Sequence, residues 1–168
     1  MRFAPVRVRL LAARDRPALK KVLVEQWGLP VVSVSGVHDD PSTLPGFVAD
    51  DALPTGGMPL GYLTYLIDGD QCEVLTINAL LEGAGVGRAL MDAARTAADN
   101  AGCRRLWLIT SNENLRAIDF YQRWGMDLAA LHRNFADTVR AAKPHLDTAA
   151  GPGGIEFRHA LEFELLLP

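Results

Sequence analysis

A period-two stretch that folds back on itself and then runs through a glycine-rich turn into a helix leaves a chain few ways to fold. Here that stretch is PLGYLTYLID, the turn DGDQ, a second run CEVLTINAL, and then LLEGAGVGRAL, ending at residue 90. Strand side chains alternate with a period of two, and tight Asp/Gly turns join antiparallel neighbours, so residues 59–80 read as a β-hairpin. Gly83, Gly85 and Gly87 then fall within five residues. Each costs stability relative to alanine at the start of a helix. Either the segment is only a flexible connection, or its backbone must come close to something.

Strand, glycine turn and helix together make an arrangement that can hold an anion. The first N–H groups of a helix have no intrahelical partner and sit at the positive end of its dipole, where a phosphate oxygen can accept from them. Glycine removes obstructing side chains and lets successive N–H groups point inward. The glycines alone do not name the phosphate. A P-loop ends Gly-Lys-Ser/Thr, whereas Gly87 is followed by Arg88 and Ala89. The dinucleotide fingerprint G-x-G-x-x-G opens a βαβ unit, whereas this G-x-G-x-G follows an antiparallel hairpin.

The rest of the chain extends the sheet. VRVRLLAA reads as an opening strand, and RDRPALKKVLVEQWG as a helix with Asp15 as N-cap, Pro17 in its first turn and Gly28 past its end. Residues 29–46 mix Pro, Ser, Gly, His and Asp and read as a long irregular loop, either functional or wrapped over a core edge. GFVADD is a short strand. VGRALMDAARTAADNAG is a helix with Val86, Leu90, Ala93, Ala94 and Ala97 at helical spacing and a terminal Gly102. CRRLWLITS is a strand, NENLRAIDFYQRWG a short helix ending at Gly125, MDLAALHR a strand, NFADTVRAAK a helical insert and PHLDTAAGPGG a loop. In the closing IEFRHALEFELLLP, Leu161, Phe163 and Leu165 alternate with Glu162 and Glu164, as in a strand with one wet face. The order predicts an α/β fold with a mixed sheet, in a single domain of 168 residues.

Composition excludes several classes. With 49% apolar and 22% charged residues the chain reads as globular and soluble. No apolar run approaches the roughly 20 residues of a membrane span. The start MRFAPVRVRLLAARDRP soon meets Asp15 and Arg16 and does not read as a signal peptide, so a cytoplasmic protein is expected. Cys72 and Cys103 lie far apart and away from histidines, and read as small buried hydrophobes, not as a disulfide or zinc site. A net charge of −3 with no basic block argues against nucleic acid and anionic membranes as partners.

TINALLEGAGVGRALMDAA followed by LWLITSNENLRAIDFYQRWGMDL resembles the GNAT superfamily of acyl-CoA-dependent N-acyltransferases. That family's phosphate loop, Gln/Arg-x-x-Gly-x-Gly/Ala, maps onto Glu82-Gly83-Ala84-Gly85-Val86-Gly87, matching at Gly85 and Gly87. It departs at Glu82, where the family prefers a cation or an amide. A carboxylate beside a pyrophosphate is unfavourable, so Glu82 is expected to point away while Arg88 offers compensating charge. The family's Asn-x-Asn and Phe-Tyr-x-x-x-Gly-Phe read here as Asn112-Glu113-Asn114-Leu115 and Phe120-Tyr121-Gln122-Arg123-Trp124-Gly125-Met126, with only the last aromatic replaced. The resemblance runs from about Arg7 to Arg133 and takes in the final strand.

The resemblance implies a GNAT-like mixed, mostly antiparallel central sheet flanked by helices. It implies acetyl-CoA or another acyl-CoA as co-substrate, no metal, and direct attack by a small-molecule or peptide amine. Gly83, Gly85, Val86, Gly87 and Arg88 would hold the pyrophosphate, and Asn114 the pantetheine arm or the diphosphate side. The strand Val74 to Asn78, often opened by a bulge in this family, would pair with the pantetheine amides around Thr76 and Ile77 and offer an oxyanion donor. Tyr121 would protonate the departing thiolate, and Glu73 would serve as base, directly or through water.

Plainer readings stand beside these. By periodicity Tyr121 is a core aromatic, on one helical stripe with Ala117 and Trp124. By alternation Glu73 shares a face with Leu75 and Ile77, so it is either exposed at the strand start or held in a cleft. His38, His132, His145 and His159 could each wall an acceptor pocket, and each alone reads as a surface or structural histidine. Glu162 and Glu164 read as a solvated face, and Gly151 to Gly154 as a turn or mobile loop near the acceptor side, with no helix after it to make a second phosphate site. A wet C-terminal strand could pair between subunits to give a homodimer. The competing classes are a CoA sensor of the same fold without turnover, and a nucleotide-binding protein.

Overall fold

The computed structural model describes residues 5–53, 57–146 and 151–168. Strand β1 (Val6–Leu10) leads into helix α1 (Arg16–Gln26). After a small hairpin, β2 (Val31–Ser33) and β3 (Gly36–His38), come β4 (Gly46–Asp51), β5 (Pro59–Asp68) and β6 (Gln71–Ala79). The glycine turn starts α2 (Val86–Asn100), followed by β7 (Arg105–Ser111), α3 (Leu115–Trp124), β8 (Asp127–His132), α4 (Phe135–Ala142) and β9 (Ala160–Leu166). Seven strands form one sheet in the order β1-β4-β5-β6-β7-β9-β8. Every pairing in it is antiparallel except β6 with β7. This is the mixed, mostly antiparallel sheet flanked by helices that the resemblance implied.

Two stripes build the core. Helix α2 buries Val86, Leu90, Met91, Ala94 and Ala98, at helical spacing, against Leu63, Cys72, Val74 and Leu106 of the sheet. Leu19 and Leu23 of α1 cover Val48 and Tyr62 on the opposite face. Both leucines are wholly shielded, and each such side chain contributes about 1.5–3 kcal/mol of transfer free energy. Among the described residues, no helix is long and apolar enough to cross a membrane.

Four expectations change. Residues 29–46 are not uniformly irregular, because Val31–Ser33 pairs with Gly36–His38 as a separate hairpin. Its strands are too short for alternation to be read above the Pro, Ser and Gly around them. Asp15 sits at the N-cap position of α1, but its side chain makes no cap. Its carboxylate instead takes two bonds from the Arg9 guanidinium, at 2.7 and 2.8 Å, and one from the Ala12 N–H at 2.8 Å. A bidentate charged partner outcompetes a helix N–H.

Glu162 is buried and Glu164 half-buried, so they are not a solvated face. Arg105 on β7 is hydrogen-bonded to both, and His132 Nε2 lies 2.6 Å from Glu162. Burial opposes the charge on Glu162, but the bonds from Arg105 and His132 hold its carboxyl below the usual carboxylate range. Finally, β9 lies between β7 and β8, so both of its edges are occupied. It is not free to pair with a second copy; the strands at the sheet's edges are β1 and β8.

Candidate active site

The two parallel strands at the centre of the sheet stay together only briefly. Gln71–Glu73 pair with Arg105–Trp107, and past Glu73 the pairing ends. A bulge lies at the same place. Thr64 of β5 faces Thr76, but Tyr65 faces Val74, so Leu75 is an extra residue in β6. An extra residue bends its strand and sharpens the local twist, which turns β6 away from β7.

The bulge also shifts the side-chain phase. Cys72 and Val74 point into the core under α2, and beyond Leu75 it is Ile77 that does so. Thr76 and Asn78 take the other face, where Thr76 Oγ1 lies 2.6 Å from Thr64 Oγ1 and Asn78 donates to Gln26 at 2.7 Å. Simple alternation had put Glu73, Leu75 and Ile77 on one face. The inserted residue moves Ile77 to the opposite side from Glu73, a change alternation cannot register.

A cavity of about 390 Å³ occupies the space where the strands part. Glu73 from β6, Ser111 at the end of β7, and Asn114, Ala117 and Tyr121 from α3 all line it. Its other side is walled by the end of α1, the β2 strand and α4. Glu73 is 4% exposed, and the Ser33 hydroxyl donates to its Oε1. Of the two placements left open for Glu73, the cleft is the one observed.

Tyr121 is both core and cavity. Its ring packs edge-on to Phe120 at 5.4 Å and against Phe163 at 5.9 Å, and it also borders the cavity. Burial pushes its phenol pKa well above the ordinary value, so the hydroxyl keeps its proton at neutral pH. Asn114 is the N-cap of α3, its Oδ1 accepting from the Ala117 N–H at 3.2 Å.

The three glycines divide by cause. Gly83 and Gly85 have φ of 73° and 76°, in the left-handed region that side chains disfavour. Gly85 is the N-cap of α2, so the turn presents the first N–H groups of that helix, beginning at Val86. Gly87 is already helical, and a Cβ there would come within 3.2 Å of the Phe120 ring. It serves the close packing of α2 on α3. Arg88 is exposed on the first turn of α2. The charge that compensates Glu82 comes from elsewhere: Arg116 on α3 forms an ion pair with it and keeps its carboxyl below the usual range. Arg88 had been expected in that role; Arg116 lies in the first turn of a helix, 34 positions away in sequence, a separation no local pattern reveals.

Several lining groups have no sequence signal. Ser33 and Trp27 lie in or beside the segment read as loop, and Lys143 follows α4. The Lys143 ammonium donates to the carbonyls of Trp27 and Gly28, at 3.0 and 2.7 Å, tying α4 to the end of α1. Burial lowers its pKa. Asn112, the first asparagine of its motif, accepts from the N–H groups of Arg158 and His159 and donates to the Glu156 carbonyl. It thereby fastens the segment before β9 along the cavity. None of the four histidines lines the cavity. Gly151 does, from the turn that Pro152–Gly154 completes. Among the described residues, no three His, Cys, Asp or Glu side chains converge to hold a metal ion.

Comparison with known proteins gives one family. Residues 15–126 match the Acetyltransferase (GNAT) family. The chain is 33% identical over 149 residues to the uncharacterized protein YdhI of Bacillus subtilis (strain 168), covering 89% of this chain and 91% of that protein. Its fold is similar to that of the IAA acetyltransferase from Bacillus cereus ATCC 14579, with a TM-score of 0.70 at 20% identity over 96% of this chain and 99% of the other. It is similar also to a Bacillus subtilis acetyltransferase solved in complex with CoA, with a TM-score of 0.67 at 17% identity over 97% and 99% of the two chains.

Proposed function

The chain belongs to the GNAT acetyltransferase family, and on that premise we propose that it moves an acetyl group from acetyl-CoA to a primary amine. The observation that carries the proposal is the coincidence, in one cavity, of the parted β6–β7 pair, buried Glu73 and Tyr121, in a chain that also has a left-handed glycine turn at the start of α2. A glycine turn at a helix start suits a pyrophosphate. A strand edge left without its neighbour suits the amides of a pantetheine arm, which would lie against Thr76 and Ile77 as a short extra strand. A related fold has been solved with CoA bound, which supports the same ligand here.

Acetyl-CoA supplies an activated thioester carbonyl. The protein's own groups manage the protons and the geometry. Glu73, held by Ser33, accepts the proton that the amine must lose to become nucleophilic. The neutral nitrogen forms a bond to the carbonyl carbon and becomes cationic, the carbon–sulfur bond breaks, and the nitrogen sheds its second proton to solvent, where Glu73 also releases the one it took. A backbone N–H of the bulged strand donates to the oxygen while it is negative. Tyr121 gives its hydroxyl proton to the departing sulfur and recovers one from solvent. Gly83, Gly85, Val86, Gly87 and Arg88 hold the pyrophosphate, and Asn114 the arm beside it.

The test is thiol release from acetyl-CoA in the presence of primary amines, with calorimetry of acetyl-CoA binding alongside. Release that depends on the amine, with an acetylated product by mass spectrometry, is expected. Binding without release across all amine classes would identify a CoA sensor, and absence of binding would remove both readings.

A further inference from the structure

The walls of the cavity on the side away from α3 carry information about the acceptor. At about 390 Å³ the whole cavity lies near the small end of the roughly 300–1,000 Å³ typical of small-molecule sites. Among the described residues, its charged side chains are Glu73, Glu113 and Lys143. Lys143 already spends its ammonium on two main-chain carbonyls. Glu73 is buried with Ser33 as its hydrogen-bond donor, and Glu113 Oε2 is buried with no donor among the described residues. Among the described lining side chains an anion finds no free cation, whereas a cation finds two carboxylates.

Part of the remaining lining is apolar. Val32 from β2, Ile109 from β7, Phe135 and Val139 from α4, and Phe157 before β9 form one apolar cluster with Ala160, and all six border the cavity. Aromatic and branched walls favour a ligand whose body is itself apolar, and a second ammonium lying against this cluster, away from Glu73 and Glu113, would be desolvated without a partner. The enclosure is also cross-tied. Lys143 joins α4 to α1, and Asn112 clips residues 156–159 to the end of β7. Walls braced at both ends suit a molecule taken in whole better than a chain emerging from a folded protein.

We propose that the acceptor is a compact primary monoamine with an aromatic or branched aliphatic body, its ammonium drawn to Glu73 and its body held by the Val32, Phe135, Val139 and Phe157 wall. The inference rests on the acyl-transfer reading. The bond formed is between the amine nitrogen and the acetyl carbonyl carbon; the bond broken is carbon–sulfur; the products are the N-acetyl amine and free CoA.

Steady-state kinetics on the full chain test it, with 2-phenylethylamine and 3-methylbutylamine set against spermidine and two peptides, one offering a free N-terminus and one a lysine. The monoamines should exceed the polyamine and the peptides in kcat/KM by about 100-fold, the range that unpaired polar groups in a fitted site produce. Phe157→Ala should raise KM for 2-phenylethylamine by about 10-fold while leaving KM for acetyl-CoA unchanged, as expected from about 1.4 kcal/mol of lost apolar contact. If spermidine or either peptide matches the monoamines, the acceptor class is wrong while acyl transfer stands. If acetyl-CoA binds and no amine is acetylated, both readings fall. The ranking in the unaltered protein decides the matter even if Phe157→Ala does not fold.

Discussion

Tyr121 illustrates how one side chain can belong to the core and to a cavity wall at once. Its ring fills the core between Phe120 and Phe163, and it also borders the cavity. Tyr121→Phe keeps the packing and removes only the proton donor. It should lower kcat by about 100-fold, the low end for a lost general acid, with acetyl-CoA affinity by calorimetry nearly unchanged. Because burial raises the phenol above its ordinary pKa of 10.0, activity should show no alkaline fall below that pH that belongs to this group. An alkaline limb under pH 10 that vanishes in Tyr121→Phe would contradict the assignment. Gly85 presents a different case: its φ of 76° is closed to a β-branched residue, so Gly85→Val should carry about 1–3 kcal/mol of backbone strain. Acetyl-CoA affinity should fall at least about 10-fold, since the same strain turns the α2 N–H groups away. Glu82 shows where residue-level reading stopped. Its misfit to the family pattern was plain in the sequence, but its partner Arg116 could be found only once α3 was set beside the turn.

At the scale of elements, the long segments were readable and the short ones were not. The strands of the β5–β6 hairpin and the stripe of α2 each run for nine residues or more. Strands β2 and β3, at three residues each, carry none, although Ser33 in β2 is the group that meets Glu73. The bulge at Leu75 has no signature in residue type, because it arises from how β6 is pulled between β5 and β7. The tie between α4 and α1 is likewise a matter of docking. Lys143→Met keeps the stem and removes the ammonium, leaving the carbonyls of Trp27 and Gly28 without that donor. Stability to urea should fall by about 1 kcal/mol, and KM for the amine should rise while KM for acetyl-CoA holds, because only the acceptor wall loosens. An equal rise in both constants would mean that the tie braces the whole cavity.

For the molecule as a whole, acid should act through the junction of β1, α1 and β4. Arg9 binds Asp15 in bidentate fashion and Asp50 at 2.7 Å, with both carboxylates nearly inaccessible. The bonds from Arg9 hold the Asp15 carboxyl below its ordinary 3.8 despite burial. A folded-state pKa below the unfolded one means the unfolded chain binds more protons between the two values. The contribution is therefore complete above the unfolded value and is lost as pH falls through it toward the folded one. Asp15→Asn should cost about 2–4 kcal/mol in urea unfolding at pH 7, and its deficit against the unaltered protein should shrink by pH 3. A deficit that stays constant with pH would show that packing, not charge, holds the junction. The sequence by itself determined the order of the long elements, the glycine turn before α2 and the family, because these rest on local periodicity and on motifs of a few adjacent residues. Only the tertiary structure decided that β9 runs inside the sheet, that Glu162 is buried under Arg105 and His132, and that Glu73 meets Ser33 in a cavity walled by α1, β2 and α4. Those facts depend on which distant segments touch, and contact between distant segments is settled by how the whole sheet twists and what its two faces must bury.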